Sequence, residues 1–146
     1  MQRKWWIVII LVIIALVICG YELFMTKKSA EVIVDNKKIN VELALTETQR
    51  AKGLSGRDHL DADSGMLFVF PKADTYTFWM KDTKIPLDII WINDNKVVEE
   101  TTLEAETSQY TPTYTPKNKA NYVFEVNAGF VNENNVKVGD KVEIKI

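Results

Sequence analysis

Aromatic, acidic and basic side chains are most densely mixed in one stretch, Gly65 to Asp88, which reads GMLFVFPKADTYTFWMKDTKIPLD. On an extended strand, Phe78 and Met80 point one way and Trp79 and Lys81 the other. Trp79 is then placed to stack on a ligand, with Lys81, Asp82 and Asp88 supplying polar contacts. The competing reading is structural. Asp82 and Asp88 can accept backbone N–H bonds from turns around Thr83 and Pro86, or pair with arginines. Arg50 and Arg57, seven positions apart, can clamp a carboxylate or phosphate bidentately, or form the ion pairs that arginine favours. The candidate ligand-binding set is therefore Trp79, Lys81, Asp82, Asp88, Arg57 and Arg50.

Other chemistries have thinner support. Asp82 and Asp88 are the one carboxylate pair considered for glycoside hydrolysis, on spacing alone. No Gly-x-Ser-x-Gly surrounds any serine, and His59 is the only histidine. Asp61-x-Asp63 before Gly65 invites a calcium reading, but the twelfth position counted from Asp61 is Lys72 rather than a bidentate Glu. One Cys and one His exclude cysteine-rich and multi-histidine metal sites within the chain. No phosphate-cradling glycine loop occurs. No metal and no cofactor is expected, no catalytic residue is assigned, and whether the protein is an enzyme is left open.

These residues need elements to hold them. Val32–Val34 and the alternation Ile39-x-Val41-x-Leu43-x-Leu45 flank Asp35-Asn36-Lys37, a hairpin pattern. Thr46 and Gln49 are spaced as a capping box, and Gly53 is a stop, so Glu47–Lys52 is predicted as a short helix. Strands are expected over Met66–Phe70, Thr75–Met80, Leu87–Ile92, Lys96–Thr102 and Tyr122–Val126. A helical turn is expected within Ala128–Asn134, and a strand, Gly-Asp turn and strand over Val136–Ile146. Residues 103–120 have no period and read as a long loop, with Tyr110 and Tyr114 on its rim. The expected fold is mainly β (α+β): a small antiparallel barrel-like or sandwich domain with one or two short helices.

The N-terminal thirty residues differ in kind. Trp5–Cys19 is unbroken apolar sequence, and Tyr21, Leu23, Phe24 and Met25 extend it around Glu22. About 20 such residues match a hydrocarbon core of ~30 Å. A single transmembrane signal anchor over residues 5–25 is thus expected, with Cys19 as apolar filler. The predicted division is an anchor and stalk over 1–30 and an exported β-rich domain over 31–146. This places the protein in the cell membrane, single-pass, with the C-terminal domain outside the cytoplasm. The chain has 18 basic and 20 acidic residues. Four of the basic residues and Glu22 fall in the first thirty, so residues 31–146 carry 14 basic and 19 acidic groups, net −5. That balance argues against nucleic acid as a partner.

An ordered series of blocks runs through the second part: Arg50-x-x-Gly53-Leu54, Arg57-x-x-Leu60, Gly65–Phe70, Phe78–Thr83, Ile85–Ile89 and Val123–Gly129. In these blocks residues 31–146 resemble the domain of unknown function 192 family. The resemblance implies a small, mostly antiparallel β domain, secreted or membrane-anchored, with no settled activity. The family usually has Asn where this chain has Asp82, and Met where it has Ser55. The expected function is binding of a small polar ligand or an envelope component. The alternatives are a structural or assembly protein without a ligand and, more weakly, a carboxylate-based hydrolase.

Overall fold

The computed structural model describes residues 8–15 and 29–146. Residues 8–15 form helix α1. The strands are β1 (Ser29–Val34), β2 (Lys37–Ala44), β3 (Ser64–Asp74), β4 (Phe78–Trp79), β5 (Leu87–Asn93), β6 (Lys96–Leu103), β7 (Thr113–Tyr114), β8 (Ala120–Asn127) and β9 (Val142–Lys145). Two further helices are α2 (Glu47–Lys52) and α3 (Phe130–Glu133).

The described residues correct the membrane expectation. Among the described residues no helix is long and apolar enough to cross a membrane. The single-pass anchor over 5–25, the membrane as a partner and the cell-membrane placement are therefore not carried forward. The remainder of that apolar run, Cys19 and Glu22 included, lies outside the described residues.

Seven strands form one sheet in the order β6-β5-β8-β3-β2-β1-β9, and β4 pairs with β7 in a small second sheet. The sheet curls into an open half-barrel. Its edges meet at one end, where Lys96 bridges Lys141 and the Val97 N–H donates to the Asp140 carbonyl at 2.9 Å. The expectation of a purely antiparallel domain is corrected at one place: β2 and β3 run parallel, with Asn40 opposite Ser64 and Ala44 opposite Phe68. A parallel neighbour requires a crossover, and residues 45–63, containing α2, supply it. The expected strand over Val136–Val138 is also absent. The Asp140 side chain accepts the Lys137 N–H at 2.8 Å and folds that stretch into a turn.

Local chemistry accounts for the rest. The hairpins β1–β2 and β5–β6 turn through Asp35-Asn36 and Asp94-Asn95, all with positive φ, as two-residue turns matched to strand twist require. The Thr46 hydroxyl accepts the Gln49 N–H, and Gln49 Oε1 accepts the Thr46 N–H at 2.9 Å, closing the capping box of α2. Both faces of the sheet are covered, so β5 is buried from Leu87 through Ile92. One face packs Ile90, Ile92, Phe124 and Val126 against Phe130 and Val131 of α3. The other packs Phe68, Leu87, Ile89, Trp91 and Val123 beneath Leu54, Phe78, Met80 and Leu103.

Candidate functional site

The structure divides the six predicted residues: Arg50 and Trp79 border one cleft, with Lys81 against Trp79, while Asp88 and Arg57 lie elsewhere. Asp88 is buried on the α3 face, alternating with Leu87 and Ile89 of the other face. Its Oδ1 accepts the Thr102 hydroxyl at 2.6 Å and its Oδ2 accepts the Val131 N–H at 2.8 Å. Asp88 therefore ties β5 to β6 and to the start of α3. Asp82 lies above the opposite face, on the turn after β4. The two carboxylates do not converge, and a hydrolytic pair between them has no geometric basis.

Asp82 acts through its backbone. Its φ is 54°, a conformation that a short polar side chain tolerates. Its carbonyl accepts the Gly56 N–H at 2.8 Å, and its N–H donates to Glu106 Oε2 at 2.7 Å. The Asn usual in the family meets the same backbone requirement, so a neutral amide is not essential at this position. Ser55 Oγ donates to the Lys81 carbonyl at 2.8 Å, and the Glu106 N–H donates to the Thr83 carbonyl at 2.9 Å. Three loops are thereby locked together: 53–57, 80–83 and the segment around Glu106. Hydrogen bonds from the Thr111 hydroxyl and the Asp82 N–H hold the Glu106 carboxyl below the usual carboxylate range.

Arg50 and Arg57 take different roles. Arg50 donates to the carbonyls of Leu45 and Val69 at 2.7 and 2.9 Å and sits 5.1 Å from the centre of the Phe70 ring. It fixes α2 on β3. Arg57 forms a bidentate pair with Glu42 at 3.2 and 2.9 Å, with both side chains about one-third exposed. This pair borders a shallow cleft of about 450 Å³ shared with His59 and Asp61. Asp63 pairs with Lys37 at 2.9 Å, and among the described residues no group of three His, Cys, Asp or Glu side chains could hold a metal.

Trp79 is 56% exposed, with Lys81 Nζ 5.6 Å from the centre of its ring. It stands at a cleft between the C-terminal turn of α2 and β4, lined also by Phe68, Phe78 and Thr83. At the cleft's base is Glu125 of β8, which sequence reasoning passed over. Glu125 is 5% exposed, and its Oε2 is buried without a hydrogen-bond partner. Burial alone pushes its carboxyl up to about 8. The free space above it is about 30 Å³, enough for a water or one polar head group. The readable sign was alternation: in Val123-Phe124-Glu125-Val126, Glu125 falls on the same face as Val123.

Two other features set this base in context. Gly65 lets β3 approach β8, since a Cβ there would lie 2.5 Å from the Glu125 carbonyl. Glu99, also buried, shows the contrasting arrangement. Its burial raises the carboxyl, but hydrogen bonds from Tyr114, Lys117 and Asn118 outweigh that and hold it below its usual range. Tyr114, expected on a loop rim, is instead pinned by this bond at 2.6 Å.

Two solved structures share this architecture. A protein of unknown function from Novosphingobium aromaticivorans is 33% identical, with 79% of this chain and 83% of that chain covered and a TM-score of 0.68. A putative transcription regulator from Sinorhizobium meliloti is 32% identical, with 81% and 93% covered and a TM-score of 0.69. No curated protein matches the chain significantly. The family model described as DUF192, Uncharacterized ACR, COG1430, matches residues 30–144. With the block order, the half-barrel and these two relatives in agreement, the chain belongs to the DUF192 family.

Proposed function

We propose that this domain binds a small polar ligand at the cleft between the end of α2 and β4, with Glu125 as the recognition group and Trp79 at the rim. The observation that carries this reading is the unpartnered, buried Oε2 of Glu125. Leaving such an atom unsatisfied costs about 1–3 kcal/mol, and a group kept at that cost calls for a role. The loops that roof the cleft are held by Glu106 and Ser55, so the site is preorganised. Lys81, Arg50 and Asp82 position that roof, while Asp88 and Arg57 serve the scaffold elsewhere. Description of the Sinorhizobium relative as a putative transcription regulator does not extend here, because residues 31–146 carry net −5 and lack a basic footprint.

The test is a chemical-shift titration of the full chain with a panel of small sugars, amines, amides and carboxylates. Saturable shifts at the Trp79 indole and at residues 124–126, lost in Trp79→Ala or Glu125→Ala, support the site. Absence of any saturable shift there across the panel overturns it.

A further inference from the structure

The charges around the cleft select among polar ligands. Arg50 and Lys52 of α2 border it, and Glu125 is the one acidic side chain among its described lining residues. Beside Glu125, the partners in register are Met66 on β3 and Ile89 on β5, both uncharged. β4 contributes Phe78 and Trp79, and the turn that follows contributes the Thr83 hydroxyl. Lys81 stands over the Trp79 ring at the mouth. Asp82 and Glu106 belong to the roofing loops, where Glu106 is occupied by Asp82 and Thr111. Three cations thus stand against the carboxylates of Asp82 and Glu106, the latter close enough to Lys81 to feel its charge, and the base is a lone carboxyl in apolar surroundings.

An ammonium ligand would pass a surround with one more cation than carboxylates to reach its acid. An anionic ligand is favoured by the same excess, but needs a donor at the end of its path. Resting on the binding reading above, we propose that the group received at the base of the cleft is a carboxylate, hydrogen-bonded by the neutral carboxyl of Glu125. The proton stays between the two oxygens, and no covalent bond forms or breaks. Two features favour this assignment. The free space at the base is small, about 30 Å³, which suits a head group of a few atoms and leaves the body of the ligand against the exposed Trp79. Burial also keeps Glu125 protonated to about pH 8, so it is a donor under ordinary conditions, as apolar sites elsewhere keep carboxylic acids neutral.

A free small acid and the terminal carboxylate of a peptide share this chemistry. The experiment titrates the full chain at constant ionic strength with propionate, tetraglycine, tetraglycine amide and ethylammonium, following the Trp79 indole and residues 124–126. Saturable binding of propionate or tetraglycine, but not of the amide or ethylammonium, is expected, and the stronger of the two identifies the source. Affinity should fall roughly tenfold between pH 7 and 9 as the protonated fraction is lost. Glu125→Gln, whose amide still donates, should bind and lose that pH dependence. Preferred binding of ethylammonium, or carboxylate affinity independent of pH in the wild type, overturns the proposal while leaving the cleft as a site. Absence of binding by all four probes removes the carboxylate proposal, whereas absence across the wider panel removes the site itself.

Discussion

Each face of the sheet buries an acid on a central strand, Asp88 on one and Glu125 on the other, and these two are handled in opposite ways. On the α3 face, Asp88 has both oxygens occupied, by Thr102 and by the Val131 N–H. On the α2 face, Glu125 has an oxygen with no partner. Both lie on central strands, β5 and β8, that are hydrogen-bonded neighbours. Burial is therefore shared, and satisfaction is what differs. A buried carboxylate that closes its hydrogen bonds within the fold fastens elements together. One that does not is left with bonding capacity for something from outside.

The largest effect that would break this contrast is on the Asp88 side. Asp88→Ala leaves the Val131 N–H and the Thr102 hydroxyl without their acceptor, so a loss of about 3 kcal/mol is expected in chemical denaturation. Glu125→Ala removes no closed bond and should cost clearly less, apart from the cavity that it opens. Equal losses in the two variants would erase the distinction.

Gly65→Ala should come next. Its Cβ would lie 2.5 Å from the Glu125 carbonyl and 2.9 Å from the Phe124 ring. Backbone cannot yield as a flexible side chain can, so overpacking of about 2 kcal/mol is expected, read as a lower unfolding midpoint at unchanged slope. This variant tests whether the close approach of β3 to β8 beneath Glu125 is as tight as the register requires. A neutral effect would mean that the floor of the cleft is pliable.

The third prediction is a pH profile. Burial raises the Glu125 carboxyl to about 8 in the folded protein, above its unfolded range. Between those values the folded state binds the extra proton, so its contribution is complete at low pH and lost as pH rises toward 8. The slope reaches at most about 1.4 kcal/mol per pH unit from this group. Glu125→Gln should flatten the wild-type decline between pH 5 and 8 in denaturation midpoints. Glu99 runs the other way: its carboxyl is held down, so its contribution is present at neutral pH and lost only as pH falls through that lowered value. A wild-type stability that rises from pH 5 to 8 would contradict the Glu125 assignment.

Legibility in the sequence followed the range of the interactions. The capping box of α2 and the turns at Asp35-Asn36 and Asp94-Asn95 depend on neighbours, and their residues announced them. The parallel pairing of β2 with β3 depends on where a crossover lands, which the alternation of Val41 and Leu43 does not encode. The site shows the same limit. Trp79 and Lys81 were recognisable as chemically capable, but Asp82 looked like a ligand group when its position serves a left-handed turn. Glu125 was passed over because β8 is buried on both faces, so its alternation with Phe124 and Val126 does not set it apart as buried. A two-sided core hides that distinction from any single strand. Asp88 and Glu125 carry the same functional group, so only their partners, Thr102 and Val131 against none, separate scaffold from site.

Pairing and burial can be separated further with Arg57 and Glu42. Their bidentate geometry matches that of a strong ion pair, at 3.2 and 2.9 Å, yet each side chain is about one-third exposed. Water and salt screen such a pair, and exposed pairs contribute about 0–1 kcal/mol. Arg57→Ala should thus shift the unfolding midpoint far less than Asp88→Ala, although it breaks a charge-assisted contact of similar length. The remaining effect should shrink further at high ionic strength, whereas that of Asp88→Ala should persist, because the Asp88 bonds are shielded from solvent. A loss from Arg57→Ala approaching that of Asp88→Ala would mean that pairing alone, without burial, holds this fold. The unpartnered state of Glu125 would then matter less than its seclusion.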